Sequence, residues 1–241
     1  MVTFDLRDVT DEVAKNFESE FFLRKKTLED YLESTNFVAL FTADIHVEVL
    51  EYTPPTSEAL LPAWRGRRGW MKFAALRARQ GRAAILHELT HVYAPNQVRF
   101  LAEGYAVYLE EKLGNIHAYP TLGTPIEERL GCANRSASQL VKLDVFDRVS
   151  IGMGLSLGDS VELKPAIPIP AERGAFSYLV SGSFVKFLID IYGLKKFKDL
   201  FELTPLTPGA SPQADPDRYE RVFGKPLTGL QTEWLGWLEE R

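Results

Sequence analysis

The sequence contains few of the residues that mark secreted, membrane-bound or nucleic-acid-binding proteins. Among its 241 residues there are one cysteine and four histidines. A single cysteine cannot form an intrachain disulfide, so nothing in the sequence requires an oxidising compartment, and a thiolate-rich structural zinc site is excluded. Lysine and arginine number 28 against 33 acidic residues, a net charge of −5. This balance indicates no basic surface for nucleic acid or for an anionic membrane.

Long apolar runs are also missing from the sequence. No uninterrupted apolar run approaches the ~20 residues that a membrane-spanning helix needs. The first residues are acidic and frequently charged, which is unlike a signal peptide. The composition, 45% hydrophobic and 25% charged, is typical of a globular protein. The sequence therefore predicts a cytoplasmic, water-soluble protein that binds neither a membrane nor nucleic acid.

The order of the predicted elements indicates an α+β fold rather than an alternating βαβ array. Residues Phe41–Val49 alternate between apolar and polar side chains, as a half-buried strand does. Beyond Gly81 the patterns become helical. We expect a single unit over residues 1–241, with a strand-rich part at 1–80, two helices within 82–113 and a mainly helical part at 114–241.

The predicted helix after Gly81 contains the sequence His87-Glu88-Leu89-Thr90-His91, an HExxH motif. Its two histidines, four residues apart, project from one helix face, where both imidazoles can bind the same cation. Glu88 lies beside His87, close enough to accept the proton of a water molecule on that metal. The alternative is a pair of ordinary histidines on an amphipathic helix. The motif favours a zinc site.

Glu103 is a candidate for a third ligand. A catalytic zinc usually takes three protein ligands and leaves a fourth position for water. Glu103 lies twelve residues after His91, in the first turn of the next predicted helix, and a helix-loop-helix can bring its carboxylate back to the imidazoles. Gly104 costs about 1 kcal/mol in a helix interior, which indicates a close helix approach. Glu110 and Glu111 are expected to form a solvated acidic end of this helix.

These motifs resemble the gluzincin metallopeptidases, in particular the peptidase MA-like group related to the family M1 aminopeptidases. The resemblance is carried by HELTH at 87–91 and FLAEGYA at 100–106, and continues in the aromatic-rich helix that ends at Tyr192-Gly193 and in the tryptophan-containing helix at 233–238. It implies a zincin-like fold and one zinc ion per chain. It further implies His87, His91 and Glu103 as zinc ligands, Glu88 as the general base and Tyr178 as the hydrogen-bond donor to the oxyanion.

One departure from that family concerns substrate specificity. The related aminopeptidases carry a G-x-M-E-N strand whose glutamate binds the free amine of the substrate. The matching stretch here, Gly69–Phe73, has Lys72 in place of the acid. A lysine repels an α-ammonium group, so the resemblance implies an endopeptidase or oligopeptidase rather than an aminopeptidase. Lys72 either favours an acidic group or points to solvent.

The leading functional hypothesis is zinc-dependent hydrolysis of peptide bonds in a peptide or protein substrate. A second hypothesis is a non-catalytic zinc-binding scaffold or binding protein that retains the gluzincin fold. A third is hydrolysis of a non-peptide amide or ester, which the same chemistry permits. The other two histidines, His46 and His117, have no ligand spacing and are expected to be structural or exposed. Nothing in the sequence indicates an oligomeric state.

Overall fold

The computed structural model describes residues 1–37, 44–51, 57–60, 69–130, 142–149, 170–206 and 214–241. Cys132 and the first part of the predicted strand, Phe41–Ala43, lie outside the described residues. The described chain has a mixed α+β fold, as the sequence predicts. It divides into two compact units, Met1–Pro95 with Leu109–Gly123, and Asn96–Tyr108 with Thr124–Arg241. A single unit over residues 1–241 therefore stays a prediction.

The strands are β1 (Val2–Asp5), β2 (Ile45–Leu50), β3 (Ser57–Leu60) and β4 (Trp70–Ala74). Among the described residues, the helices whose two ends are both described are α1 (Asp11–Ser34), α2 (Ala75–Arg79), α3 (Ile85–Tyr93), α4 (Arg99–Lys112), α5 (Leu143–Val149), α6 (Pro170–Tyr192), α7 (Leu194–Phe201), α8 (Arg218–Phe223) and α9 (Leu227–Glu239). Helix α4 contributes residues to both units. The two helices predicted within 82–113 therefore correspond to α3 and α4.

The four strands form one sheet in the order β1-β2-β4-β3. Strands β1, β2 and β4 are parallel, and β3 pairs with β4 in the antiparallel direction at the edge. The alternation predicted for β2 is confirmed, since Ile45, Val47 and Val49 are buried. Met71 and Phe73 of β4 lie beside Val47 and Val49 in the sheet and are buried too. One face of the sheet is therefore apolar.

Helix α1 packs on this apolar face and is absent from the sequence-based predictions. The ring of Phe17 contacts that of Phe73 edge-on at 5.3 Å between centroids. Because α1 connects two parallel strands, β1-α1-β2 is a βαβ unit at the start of the chain. The region expected to be strand-rich, 1–80, thus also holds a helix of 24 residues. The buried residues of α1 are Phe17, Phe21, Leu28 and Leu32.

The second unit has an aromatic core built from α4, α5 and α6. The ring of Phe100 lies 5.6 Å from that of Phe184 and 6.2 Å from that of Phe146. Trp234 of α9 is fully buried and donates a hydrogen bond from Nε1 to Ser183 Oγ at 3.0 Å. These contacts fix α6 against α4 and α9. The part predicted to be mainly helical, 114–241, contains α5 to α9 among its described residues.

The segment Arg173–Tyr192 of α6 is long and apolar enough to cross a membrane by length and composition alone. Its mean hydropathy is 1.3, and 61% of the apolar window is buried inside the protein. Core helices of soluble proteins have the same properties. The burial agrees with a soluble protein, and a cytoplasmic location stays a prediction.

Candidate metal centre

Helix α3 carries the HExxH motif, and all nine of its residues are buried. His87 and His91 are each 7% exposed, and Glu88 is 5% exposed. The two imidazole rings lie 4.8 Å apart between centroids, with an angle of 79° between their planes. The helix therefore places both rings side by side, one turn apart, as the spacing predicts.

Two polar contacts fix α3 within the first unit. The Tyr93 hydroxyl donates a hydrogen bond to Glu29 Oε1 on α1 at 2.7 Å. Burial raises the pKa of Tyr93, and the Glu29 carboxylate raises it further, so the phenol remains a neutral donor. At the other end, Asn115 Nδ2 donates to the carbonyl of Ala83 at 3.3 Å, just before the helix begins. Both ends of the helix that carries the histidines are thereby held in place.

Glu110 is buried beside His87, which corrects the expectation of a solvated acidic end. Its Oε2 lies 3.4 Å from His87 Nδ1, and the carboxylate has no exposed surface. Glu110 follows Glu103 by seven residues, and residues seven apart share a helix face, so Glu110 continues the buried stripe of α4. Glu111, on the next face, is only half-buried. A carboxylate at Nδ1 leaves Nε2 of His87 available for a metal and fixes the orientation of the ring.

Asn96 positions the start of α4 within the second unit. It is fully buried. Its Oδ1 accepts hydrogen bonds from the backbone N–H of Val98 at 2.8 Å and from Thr204 Oγ1 at 2.9 Å. Its Nδ2 donates to the carbonyl of Phe201 at 2.8 Å. Asn96 therefore satisfies the N–H of Val98, the residue just before α4. It ties the start of this helix, about one turn before Glu103, to the end of α7.

Two glycines allow α4 and α6 to approach each other closely. A Cβ atom on Gly104 would lie 2.5 Å from the Ser181 carbonyl oxygen and 2.6 Å from Val185 Cγ2. A Cβ atom on Gly182 would lie 2.6 Å from Val107 Cγ1. The interpretation of Gly104 as a packing residue is thus confirmed. The close approach brings the middle of α6 over the turn of α4 that carries Glu103.

Arg99 connects two of the predicted site residues, and the sequence analysis did not identify it. Its Nε donates to Glu103 Oε1 at 2.9 Å, and its Nη2 donates to the phenol oxygen of Tyr178 at 3.2 Å. Burial lowers the pKa of Arg99, but the Glu103 carboxylate and the hydrogen bonds to Glu103 and Tyr178 outweigh this effect and raise it above the ordinary value. The i,i+4 spacing of Arg99 and Glu103 is the sequence signal that identifies the pair.

The structure brings His87, His91 and Glu103 together. One ligand atom from each of these buried residues lies within 4.8 Å of the others. Glu88 is buried in the same helical turn as the histidines. Tyr178 is half-buried on α6 and reaches Glu103 through Arg99. The predicted ligand set thus forms a cluster, and the roles assigned to Glu88 and Tyr178 stay predictions.

Lys72 lies on the polar face of the sheet, opposite the face that α1 covers. Its neighbours in register are Glu48 on β2 and Glu58 on β3. The Lys72 ammonium is 3.7 Å from a carboxylate oxygen of Glu58 and is 29% exposed. The lysine is thus paired within the sheet. On the same face, His46 Nδ1 lies 2.9 Å from Thr3 Oγ1.

Two imidazoles and a carboxylate, all buried, form a set of nitrogen and oxygen donors that can hold one divalent transition-metal ion. His117 is exposed, and neither His46 nor His117 belongs to the cluster, which agrees with the expectation that both are structural or exposed. No known protein family, curated protein or solved structure matches this chain. The function is therefore argued from the chemistry of the site.

Proposed function

We propose that this protein is a zinc-dependent metallopeptidase with a zincin-like fold, similar to the gluzincins. The observation that carries the proposal is the buried cluster of His87, His91 and Glu103, whose ligand atoms lie within 4.8 Å of one another. Two imidazoles and a carboxylate gathered in one buried place form a donor set that suits a divalent cation. The substrate class is a peptide or protein, and the proposed location is the cytoplasm.

The donor set fits zinc better than the harder cations. Calcium and magnesium prefer oxygen ligands, whereas imidazole suits zinc. Tetrahedral ligands with bonds of about 2.0–2.1 Å lie roughly 3.4 Å apart. A spread within 4.8 Å needs only small side-chain rotations to reach that geometry. Three protein ligands leave a fourth position open, which is the pattern of catalytic sites.

The proposed reaction needs a metal ion, a general base and a hydrogen-bond donor to the oxyanion. A bound zinc ion would lower the pKa of water at the site toward ~7 and polarise a carbonyl oxygen. Glu88 follows His87 directly and precedes His91 by three residues, so its carboxylate shares the ligand face and can accept a proton from that water. Tyr178 uses its oxygen to accept from Arg99, and its own proton can be donated to a developing oxyanion.

Cleavage within a peptide is favoured over removal of an N-terminal residue. The strand that would supply an acid for a free amine supplies Lys72 instead. Lys72 forms an ion pair with Glu58 and offsets the charge of that carboxylate. This pair therefore presents no free negative charge that could bind an α-ammonium group. The proposal is accordingly an endopeptidase or oligopeptidase.

The test is a comparison of Glu88→Gln with the wild type on a panel of internally quenched peptides. We expect Glu88→Gln to bind zinc and to fold, and to lose hydrolysis by a factor of roughly 10² or more, because the general base is removed. Glu220→Gln, on an exposed position of α8, is the matched control and should retain full activity. Zinc-loaded wild type that cleaves no peptide would favour the non-catalytic scaffold. Full activity in Glu88→Gln would remove Glu88 from the mechanism.

A further inference from the structure

Arg99 contacts the other described residues through one edge of its guanidinium. Nε donates to Glu103 and Nη2 donates to Tyr178. An arginine carries five N–H donors. In the part of the chain that the structure describes, the remaining donors, including both on Nη1, have no acceptor. The side chain is 24% exposed, so part of it is accessible to solvent.

Helix stability does not account for this arginine. Arg99 is the first residue of α4, where the helix dipole disfavours a positive charge. In the Arg99–Glu103 pair the cation precedes the acid by four residues, which stabilises a helix less than the reverse order does. A cation at this position, beside a proposed metal ligand and a proposed oxyanion donor, is suited to interact with a third group.

The donors of Arg99 that these contacts leave unused have the geometry to bind a carboxylate. Nη1 and the second hydrogen of Nη2 form a planar fork that matches the two oxygens of a carboxylate. A cation bound by Glu103 would neutralise part of the negative charge of this carboxylate. Less of that negative charge would then balance the positive charge of Arg99. The attraction of Arg99 for a further anion then increases.

We propose that Arg99 is a specificity-determining residue that binds a carboxylate of the substrate, so that the preferred substrates are peptides with an acidic group close to the cleaved bond. The inference rests on the proposed peptidase function. The carboxylate belongs either to an aspartate or glutamate side chain or to the free C-terminus of a short peptide. Arg99 contacts Glu103 and Tyr178 on one edge and the substrate on the other.

The experiment measures binding and turnover of matched fluorescent peptides. One pair differs by a glutamate replaced with glutamine, and a second pair differs by a free or an amidated C-terminus. Binding is measured by fluorescence anisotropy to zinc-loaded Glu88→Gln, and turnover is measured with the wild-type protein. We expect the peptide with the recognised carboxylate to bind about 10–100-fold more tightly than its neutral partner. The pair that shows the difference identifies the source of the carboxylate.

Substitutions of Arg99 in the same background separate recognition from structural support. Arg99→Gln should remove the preference, and Arg99→Lys should retain zinc but lose most of the preference, because an ammonium lacks the planar fork. Arg24→Gln is the matched control: Arg24 is 18% exposed and also pairs at i,i+4, with Glu20 at 2.6 Å. It should leave the preference unchanged.

Each outcome decides one of the two proposals. Turnover without any carboxylate preference, or equal weakening of both members of a pair in Arg99→Gln, overturns the role of Arg99 and leaves the peptidase proposal standing. Arg99-dependent binding of the carboxylate peptide without turnover supports the binding role and contradicts the peptidase proposal. Absence of both binding and turnover contradicts both.

Discussion

Glu110 Oε2 lies 3.4 Å from Nδ1 of His87, and both side chains are buried. Histidine ligands of metals commonly donate their second ring N–H to a carboxylate, which fixes the tautomer and makes the ligand nitrogen more basic. The contact occupies Nδ1 of His87 and so leaves Nε2 as the nitrogen available to a metal. It also gives a structural reason for a fully buried acid in α4.

Replacement of Glu110 tests this relationship. Glu110→Gln removes the charge that supports the His87 ring, and we expect the zinc affinity to fall by about 10–100-fold. Competition with a fluorescent zinc chelator measures the change. The half-buried neighbour provides the control, since Glu111→Gln should leave the affinity close to that of the wild type. Equal affinities in Glu110→Gln and the wild type would show that the carboxylate does not support the ligand.

The close approach of α4 and α6 predicts a strong effect of a single methyl group. Gly104→Ala would place Cβ 2.5 Å from the Ser181 carbonyl oxygen. This oxygen belongs to the backbone of a packed helix, so relieving the clash requires a shift of the helix. We expect the free energy of unfolding to fall by about 1–3 kcal/mol, measured by urea denaturation. On α9, Gly236→Ala meets nothing within 4 Å and should raise the stability by up to ~1 kcal/mol, because alanine is the better helix former. The same sign for both variants would contradict the packing explanation.

The buried ion pair of Asp147 and Arg218 predicts a difference between two aspartates of α5. Arg218 is 1% exposed and donates to both oxygens of Asp147, and Tyr219 donates to Asp147 Oδ1 at 2.8 Å. Asp147→Asn leaves a buried cation uncompensated, and we expect a loss of about 3–5 kcal/mol.

The exposed pair on the same helix supplies the comparison. Asp144 lies 3.7 Å from Arg148, and the two side chains are 46% and 70% exposed. Asp144→Asn should change the free energy of unfolding by less than about 1 kcal/mol, because solvent screens an exposed pair. Thermal or urea denaturation of both variants measures the difference. Similar losses in the two variants would rule out burial as the cause.

Local patterns were sufficient to predict the elements that carry the site. The i,i+4 spacing of His87 and His91 predicts a shared helix face, and α3 provides it. The alternation around Val47 predicts a half-buried strand, which β2 confirms. These features depend on neighbours along the chain, so a single sequence contains the information.

Contacts between distant segments could not be predicted in the same way. Glu110 is buried against His87, which lies 23 residues earlier in the chain. The proposed role of Arg99 depends on its contact with Tyr178, which lies 79 residues later. Helix α1 was missed because its charged residues obscure a stripe whose members, Phe17 and Phe21 among them, lie four or seven residues apart. The seven-residue spacing of Glu103 and Glu110 was present in the sequence and is the signal that would have predicted a common face.

The proposed zinc site is tested most directly by the metal content of the protein purified without added metal, measured by elemental analysis. We expect one equivalent of zinc per chain, lost in His87→Ala and in Glu103→Gln. His46→Ala, which alters a histidine on the polar face of the sheet, should keep the full equivalent. Wild-type protein that binds no zinc after equilibration with it, or zinc retained at one equivalent in His87→Ala, would contradict the central claim.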